Sequence, residues 1–387
     1  MTSRRAVLSG VAAAAGVGAV GAAAWWVPRV ESAGGPPVPR PPKRPGVKLA
    51  PPATGPVSMP LGSHRGVNLA HLHRSDRGYG SAASARQLAR LAALGVTHVA
   101  LTPFGYVGAI DDVNLRWGPD LDRTLSDEAL LAEARAARAL GLQVTLKPHI
   151  WSRAFYTRGQ SRQDIRPRDR DGGWPAWFDQ YTAFARHYAA LAAQMDAALY
   201  VVGLEYLRAT AENPGAWAEV AAACRAVYAG PLTYAANWWR EAELFGDWAA
   251  FDLIGVNAYP PLSDAPDPGR AALVAGWTPF LSAMGGLAQA FDKPVVFCEA
   301  GLAALRGAAA EPWSNAQRGA PDPALQARAY DALLAAAAPQ PWFRGVYWWK
   351  WFTDTAGEDD PYSPMGQPAE AVLRAWWGPK DSREDKP

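Results

Sequence analysis

The stretch ALYVVGLEYL, residues 198–207, joins a strongly apolar run to a carboxylate. Six of its first seven residues are apolar. A short valine-rich run bounded by loops predicts a strand that is buried on both faces, as in a parallel sheet covered by helices. A lone carboxylate is costly in such surroundings. We therefore expect Glu205 at the end of the strand, where a buried wall becomes the rim of a pocket.

Similar apolar runs recur along the chain and predict eight strands. They cover residues 64–70, 96–104, 143–151, 198–206, 231–239, 253–260, 294–301 and 345–352. The segments between them, such as SARQLARLAALG (84–95), carry apolar residues at helical spacing. Gly95 and Gly141 each follow such a segment, which is typical of helix ends. Strands alternating with helices predict the α/β class and a single closed (β/α)₈ TIM barrel.

A doubly wound open sheet is the alternative architecture for the same alternation. Such a sheet usually carries a glycine-rich phosphate-binding turn after an early strand. Neither GxGxxG nor GxxxxGK[ST] occurs in that position of this sequence. The barrel is therefore the favoured prediction.

The N-terminal sequence predicts an export signal followed by a linker. Arg4 and Arg5 precede a weakly hydrophobic run, a pattern that resembles a twin-arginine signal. We predict a signal segment at 1–30, a proline-rich linker at 31–60, the catalytic barrel at 61–378 and a charged tail at 379–387. The expected location is secreted, periplasmic or tethered to the cell surface, and an uncleaved signal would supply an N-terminal membrane tether.

Composition argues against several kinds of partner. The formal net charge of +2 is too small and too evenly spread along the chain to indicate nucleic-acid binding, which needs a basic patch or stripe. The arginine-rich stretch RQDIRPRDRDGG (162–173) is interleaved with aspartates and is expected to be a solvated loop.

Cys224 and Cys298 have no CxxC spacing, so we expect free buried thiols and neither a disulfide framework nor a zinc site. No metal or other cofactor is expected, and the protein is expected to be a monomer.

One histidine pair allows a different chemistry. His71 and His73 form an HLH pattern of the kind that opens metal-dependent amidohydrolases. Such a barrel also needs histidines at the ends of strands five and six. Here those strands end in Asn237 and Tyr259, which favours a neutral pocket residue at His71.

Polar and aromatic residues collect at the C-terminal ends of the predicted strands. Barrel enzymes place their active sites at this end. The candidate site residues are His149, Trp151, Glu205, Asn237, Trp238, Tyr259, Glu299, Trp348, Trp349 and Trp351.

The two glutamates point to glycoside hydrolysis. Glu205 and Glu299 end the fourth and seventh predicted strands, so their side chains can converge across the mouth of the barrel. Retaining glycosidases hold such a pair about 5–5.5 Å apart and inverting ones about 6.5–9.5 Å apart. Strict alternation along the seventh strand predicts that Phe297 points into the barrel with Glu299, and that Cys298 faces the helices.

Tryptophan supplies a second argument for a sugar substrate. The chain contains eighteen tryptophans, many of them in the predicted rim loops. Flat aromatic rings stack on the apolar faces of pyranose rings. The candidate sugar platforms are Trp151, Trp238, Trp348, Trp349 and Trp351, although alternation prevents all three in WWKW (348–351) from facing the pocket.

With these motifs in order, residues 64–377 resemble glycoside hydrolase family 113. The resembling segments are TLKPHIW, VVGLEY, TYAANW, DLIGVNAYPPL, KPVVFCEAG, GVYWWKWF and YSPMGQPAEAVLRAWW. The resemblance implies a retaining (β/α)₈ glycosidase of the β-mannanase or β-mannosidase type that acts on β-1,4-mannan and manno-oligosaccharides.

The resemblance also implies roles for individual residues. Glu205 would be the acid/base and Glu299 the nucleophile, with Tyr259 hydrogen-bonded to the nucleophile. Asn237 and His149 would contact the bound sugar. Leu204 stands where many members of the wider clan have an asparagine that holds the sugar 2-hydroxyl, so that contact stays unassigned. A retaining glycosidase for another β-linked glycan and a non-catalytic carbohydrate-binding barrel remain the alternatives.

Overall fold

A closed barrel of eight parallel strands forms the centre of the protein. The computed structural model describes residues 39–59, 62–118, 121–122, 125–238, 240–314 and 319–379. Its strands are β1 (His64–Ala70), β2 (His98–Leu101), β3 (Phe104–Tyr106), β4 (Gln143–Leu146), β5 (His149–Trp151), β6 (Leu199–Leu204), β7 (Leu232–Asn237), β8 (Ile254–Ala258), β9 (Val295–Ala300) and β10 (Phe343–Phe352). The order around the barrel is β1-β10-β9-β8-β7-β6-β4-β2. The predicted barrel is confirmed, and the open sheet is excluded.

Helices surround the barrel. They are α1 (Ala82–Ala93), α2 (Asp127–Ala139), α3 (Arg153–Thr157), α4 (Gly173–Met195), α5 (Leu207–Glu212), α6 (Ala216–Arg225), α7 (Glu241–Leu244), α8 (Arg270–Phe291), α9 (Pro323–Ala337) and α10 (Pro368–Trp377). Gly95 and Gly141 follow α1 and α2 in the left-handed conformation, as the sequence predicted. Among the described helices only α8 is long and apolar enough to cross a membrane, and half of its apolar stretch is buried inside the protein.

Two of the predicted strands are divided at a proline. The runs 96–104 and 143–151 each contribute one barrel strand, β2 or β4, and one strand of a separate small sheet, β3 or β5. Pro103 and Pro148 lie at the two divisions. Proline has no N–H to donate to a sheet, so each ladder ends there. The β3–β5 sheet continues the chain beyond the barrel rim, and it carries His149 and Trp151.

The predicted orientation of Phe297 and Cys298 on β9 is wrong. Cys298 belongs to the buried cluster inside the barrel, together with residues from several other strands. Phe297 instead faces outward and packs on Trp277 and Phe280 of α8. The register of β9 shifts against both neighbouring strands between Phe297 and Ala300. This bulge interrupts strict alternation, and Cys298 and Glu299 therefore both lie on the inner side.

The second half of the predicted linker is bound to the barrel. Residues 44–53, which we call the strap, lie along α8 and α9. Val47 exchanges hydrogen bonds with Ser282 of α8, and the Ala53 N–H donates to the Ala335 carbonyl of α9. A side chain at Gly285 would collide with Val47, so this glycine allows the strap to approach α8 closely. The globular part therefore begins well before residue 61.

Other parts of the predicted organisation lie outside the described residues. These are the signal segment with Arg4 and Arg5, the first residues of the linker up to 38, and the charged tail from residue 380.

We predict that the strap stabilises the barrel. The three hydrogen bonds named above each contribute about 0.5–1.5 kcal/mol, so a protein beginning at residue 61 should be about 1.5–4.5 kcal/mol less stable than one beginning at residue 39. Chemical denaturation of both proteins measures this difference. Equal denaturation midpoints and slopes for the two proteins would show that the strap does not contribute to stability.

Candidate active site

Glu205 lies at a sharp turn directly after β6. Its φ angle is +57°, in the left-handed region that side chains other than glycine rarely adopt. The backbone N–H of Glu205 still donates to the Ala235 carbonyl of β7, and the next N–H, of Tyr206, donates to the Tyr234 hydroxyl. The turn is thus anchored to β7 on both sides of the strained residue, and it directs the carboxylate away from the buried wall.

The Glu205 carboxylate receives two hydrogen bonds. Arg162 donates to Oε2 at 2.8 Å, and the Asn257 side chain donates to Oε1 at 3.0 Å. The side chains of Arg162 and Glu205 are 21% and 18% exposed, so the ion pair is largely shielded from water. The prediction that 162–173 is a solvated loop is therefore wrong at Arg162, because this arginine turns inward to neutralise a carboxylate.

Glu299 is held by two residues from other strand ends. Lys147 donates to its Oε1 at 2.7 Å and Tyr259 donates to its Oε2 at 2.9 Å. The Lys147 and Glu299 side chains are only 1% and 6% exposed. Burial, and then the charge of Glu299, raise the pKa of Tyr259 well above its usual range. The hydroxyl therefore stays protonated and donates a hydrogen bond to Glu299. An unpaired carboxylate here would be strongly destabilising, and Lys147 removes that cost.

The two glutamates belong to one site. Asn257 on β8 stands beside Glu299 in the register of β8 and β9, and it is also the donor to Glu205. Burial disfavours the charged form of Arg162 and so lowers its pKa. The interactions with Glu205, Tyr206 and Glu299 have the larger combined effect, and the pKa of Arg162 is raised above the usual range. One cation therefore interacts with both carboxylates across the mouth of the barrel.

A histidine and a tryptophan lie next to these carboxylates. The His149 and Trp349 rings are nearly parallel, with centroids 6.0 Å apart. The Lys147 ammonium group lies 5.3 Å from the Trp349 ring centroid, and Trp349 is half-buried. Burial first, then the charges of Lys147 and Arg162, keep the pKa of His149 far below its usual value, so the imidazole is neutral. Its buried Nε2 has no hydrogen-bond partner among the described residues, which suits a polar ligand.

Two of the predicted sugar platforms face the helices instead. The Trp348 ring stacks on Tyr330 of α9, with centroids 3.6 Å apart, and the Trp351 indole N–H donates to Gln87 of α1. Both side chains are fully or almost fully buried. The register of β10 against β1 shifts between these tryptophans, which breaks the alternation. The expectation that Trp348 and Trp351 contact sugar is corrected, and Trp349 alone of WWKW adjoins the carboxylates.

Three other predicted residues occupy the rim. The Trp151 ring lies edge-on to Tyr106 in the small sheet. Trp238 packs on Trp313 from the loop after β9, with ring centroids 5.1 Å apart. Asn237 is paired with Asn257 in the register of β7 and β8, so it lies one strand farther from Glu299 than Asn257 does.

Sequence reasoning missed Lys147, Arg162 and Asn257. Lys147 and Asn257 lie within the apolar runs TLKPHIW and DLIGVNAY, where a polar residue in a buried strand was a usable signal. Arg162 gave no such signal, because only folding shows which arginine of a mixed-charge loop turns inward.

The two histidines of the disfavoured amidohydrolase alternative have partners within the protein. His71 accepts a hydrogen bond from the Tyr79 N–H, and His73 lies 2.5 Å from an Asp122 carboxylate oxygen. Burial, and then the charge of His73, lower the pKa of His71 to about 3, so it is neutral. The described residues contain no group of three or more histidine, cysteine, aspartate or glutamate side chains arranged to hold a metal ion.

Comparisons with known proteins identify a related family and related structures. The model of Glycoside Hydrolase Family 113 matches residues 70–366. A GH113 β-mannanase structure, AaManA from Alicyclobacillus acidocaldarius in complex with ManMIm, has 30% identity and a TM-score of 0.70, and the match covers 81% of this chain and 96% of that one. A GH113 β-1,4-mannanase complex has 25% identity and a TM-score of 0.70, covering 81% and 98%.

More distant structures share the fold alone. A Faecalibacterium prausnitzii β-glucuronidase has 13% identity and a TM-score of 0.53, with 83% of this chain and 49% of that one covered. No curated protein matches the chain.

We predict opposite consequences for two tryptophans of β10. Trp349→Ala should raise KM about tenfold or more and leave stability almost unchanged, because the ring borders the pocket. Trp351→Ala should cost about 3–5 kcal/mol of stability and leave KM unchanged, because its ring packs on a helix. Kinetics and denaturation of both variants test this. A KM effect in Trp351→Ala alone would reverse the assignment.

Proposed function

The chain belongs to glycoside hydrolase family 113 and is a glycoside hydrolase, and we propose that it cleaves β-1,4-linked mannan or manno-oligosaccharides by double displacement. The observation that carries the proposal is the pair of strand-end glutamates, each bound to its own cation and linked through Asn257. The mannan substrate rests on the similarity to β-mannanases of known structure.

In the first step Glu299 would act as nucleophile. Its carboxylate attacks the anomeric carbon and the glycosidic C–O bond breaks, while Glu205, in the carboxylic acid form that the second step regenerates, gives its proton to the departing glycosidic oxygen. Lys147 and Tyr259 each hold one carboxylate oxygen of Glu299, so the nucleophile keeps one orientation. The product of this step is a covalent glycosyl-enzyme with inverted configuration.

In the second step Glu205 would act as base. It takes a proton from a water molecule, the water attacks the anomeric carbon, and the bond to Glu299 breaks. Two inversions give net retention. The hydrogen bonds from Arg162 and Asn257 hold the Glu205 carboxylate at the site during the exchange of its proton.

The neighbouring residues suit a pyranose. His149 offers a buried, unpartnered Nε2 to a hydroxyl, and Trp349 offers an aromatic surface beside it. The role of Asn237 as a further hydroxyl contact stays a proposal that follows from its place on the rim.

We predict that hydrolysis of manno-oligosaccharides releases the β-anomer first. Proton NMR at early times measures the configuration. Glu299→Ala should lower kcat more than about 10³-fold, because no covalent intermediate can form. Glu219→Ala, on the outer helix α6, is the matched control and should be fully active. Early release of the α-anomer would contradict the double displacement.

We predict that the loss in Glu205→Ala depends on the leaving group. Manno-oligosaccharides need a proton on the departing oxygen, so their kcat should fall about 10²–10⁴-fold. An activated aryl β-mannoside should still form the glycosyl-enzyme, and azide should then restore turnover and give a β-glycosyl azide. Equal losses on both substrates without azide rescue would contradict the acid/base role.

A further inference from the structure

We propose that Glu241 is a positioning residue that holds the turn of Glu205 through Tyr234. The inference rests on the proposed acid/base role of Glu205. Glu241 begins α7, in the short connection between β7 and β8, and it is completely buried. It takes no part in the mechanism described above.

The contacts form a continuous chain from Glu241 to the acid/base. The Tyr234 hydroxyl donates to Glu241 Oε1 at 2.6 Å. The same hydroxyl accepts from the Tyr206 N–H at 2.9 Å, one residue beyond Glu205. The other carboxylate oxygen, Oε2, accepts from the Asn237 N–H at 2.7 Å. One buried carboxylate thus holds the backbone at the ends of both β6 and β7.

The turn at Glu205 needs such an anchor. A left-handed residue other than glycine costs about 1–3 kcal/mol and persists only where its surroundings enforce it. On the C-terminal side of Glu205 the anchor is the hydrogen bond from Tyr206 to Tyr234. Glu241 fixes the direction of the Tyr234 hydroxyl, because an oxygen that accepts from Tyr206 must donate its own proton elsewhere.

The hydrogen-bond pattern requires a carboxylate at this position. Thr210 also donates to Oε1, at 3.0 Å, since its oxygen accepts from the Trp217 indole N–H. Glu241 therefore faces three donors and offers two acceptor oxygens. A glutamine has the same size but only one acceptor oxygen, so its amide nitrogen would face a donor in either orientation.

The charge of Glu241 is coupled to the site. The pKa of Glu241 is raised to about 7, first by burial and also by the charge of Glu205, against the hydrogen bonds from Tyr234, Asn237 and Thr210, which lower it. Tyr234 from β7 and Glu205 from the end of β6 are the titratable groups that face it, with the hydroxyl of Thr210 from α5 beside them. Since the folded-state pKa is raised, this group makes stability fall as the pH rises from about 4.5 to about 7.

The test compares Glu241→Gln with Glu133→Gln. Glu133 is an equally buried glutamate, but it binds Ser84 and Gly80 beside α1. In Glu241→Gln, kcat on manno-oligosaccharides should fall about 10–10²-fold, while kcat on an activated aryl β-mannoside should change little, because a misplaced acid matters most for a poor leaving group. Tyr234→Phe should show the same contrast. Glu133→Gln should change both substrates equally or not at all.

A second measurement needs no turnover. The Tyr206 amide resonance should shift with pH in the wild-type protein with a midpoint near 7, and this shift should be absent in Glu241→Gln. Equal kinetic losses on the two substrates, or a Tyr206 amide resonance that is the same in the wild-type protein and in Glu241→Gln, would overturn the positioning role. If the wild-type protein cleaves no mannoside, the proposed substrate fails, and the amide titration still decides the role of Glu241.

Discussion

The buried ion pair between Lys147 and Glu299 is the interaction on which the candidate site depends. Lys147 follows β4 and Glu299 lies on β9, and these strands are diametrically opposite in the barrel. The pair therefore joins only when the barrel closes. Removing one partner of a buried pair costs about 3–5 kcal/mol, because a charge is left without compensation. The same contact thus orients the nucleophile and prevents a buried, uncompensated charge from destabilising the fold.

Two local irregularities place the chemistry on this regular barrel. The bulge in β9 brings Glu299 to the inner side together with Cys298, and the left-handed turn at Glu205 lifts the second carboxylate to the rim. The bulge and the turn are each held by contacts between strands that a regular ladder of backbone hydrogen bonds would not need. Strain and bulges of this kind persist where the surrounding structure enforces them, and they are common beside active sites.

Charge compensation follows the same logic for both glutamates. Each carboxylate has one cation and one neutral donor: Lys147 and Tyr259 for Glu299, and Arg162 and Asn257 for Glu205. Lys147 directly follows β4, and Arg162 lies in the segment between α3 and α4. Glu241 differs, because the three donors that it faces are all neutral, and burial raises its pKa.

The sequence by itself determined the eight strands, the closed barrel and the two glutamates at strand ends. The spacing of apolar residues, the glycines that end helices and the polar residues that end strands are all local signals in the chain. Tertiary structure alone decided the rest. It turned Trp348 and Trp351 toward helices, turned Arg162 inward and bound the strap to α8. The physical reason is that a bulge, an inward-turning loop cation and a docked segment depend on contacts between residues far apart in the chain, which no local pattern records.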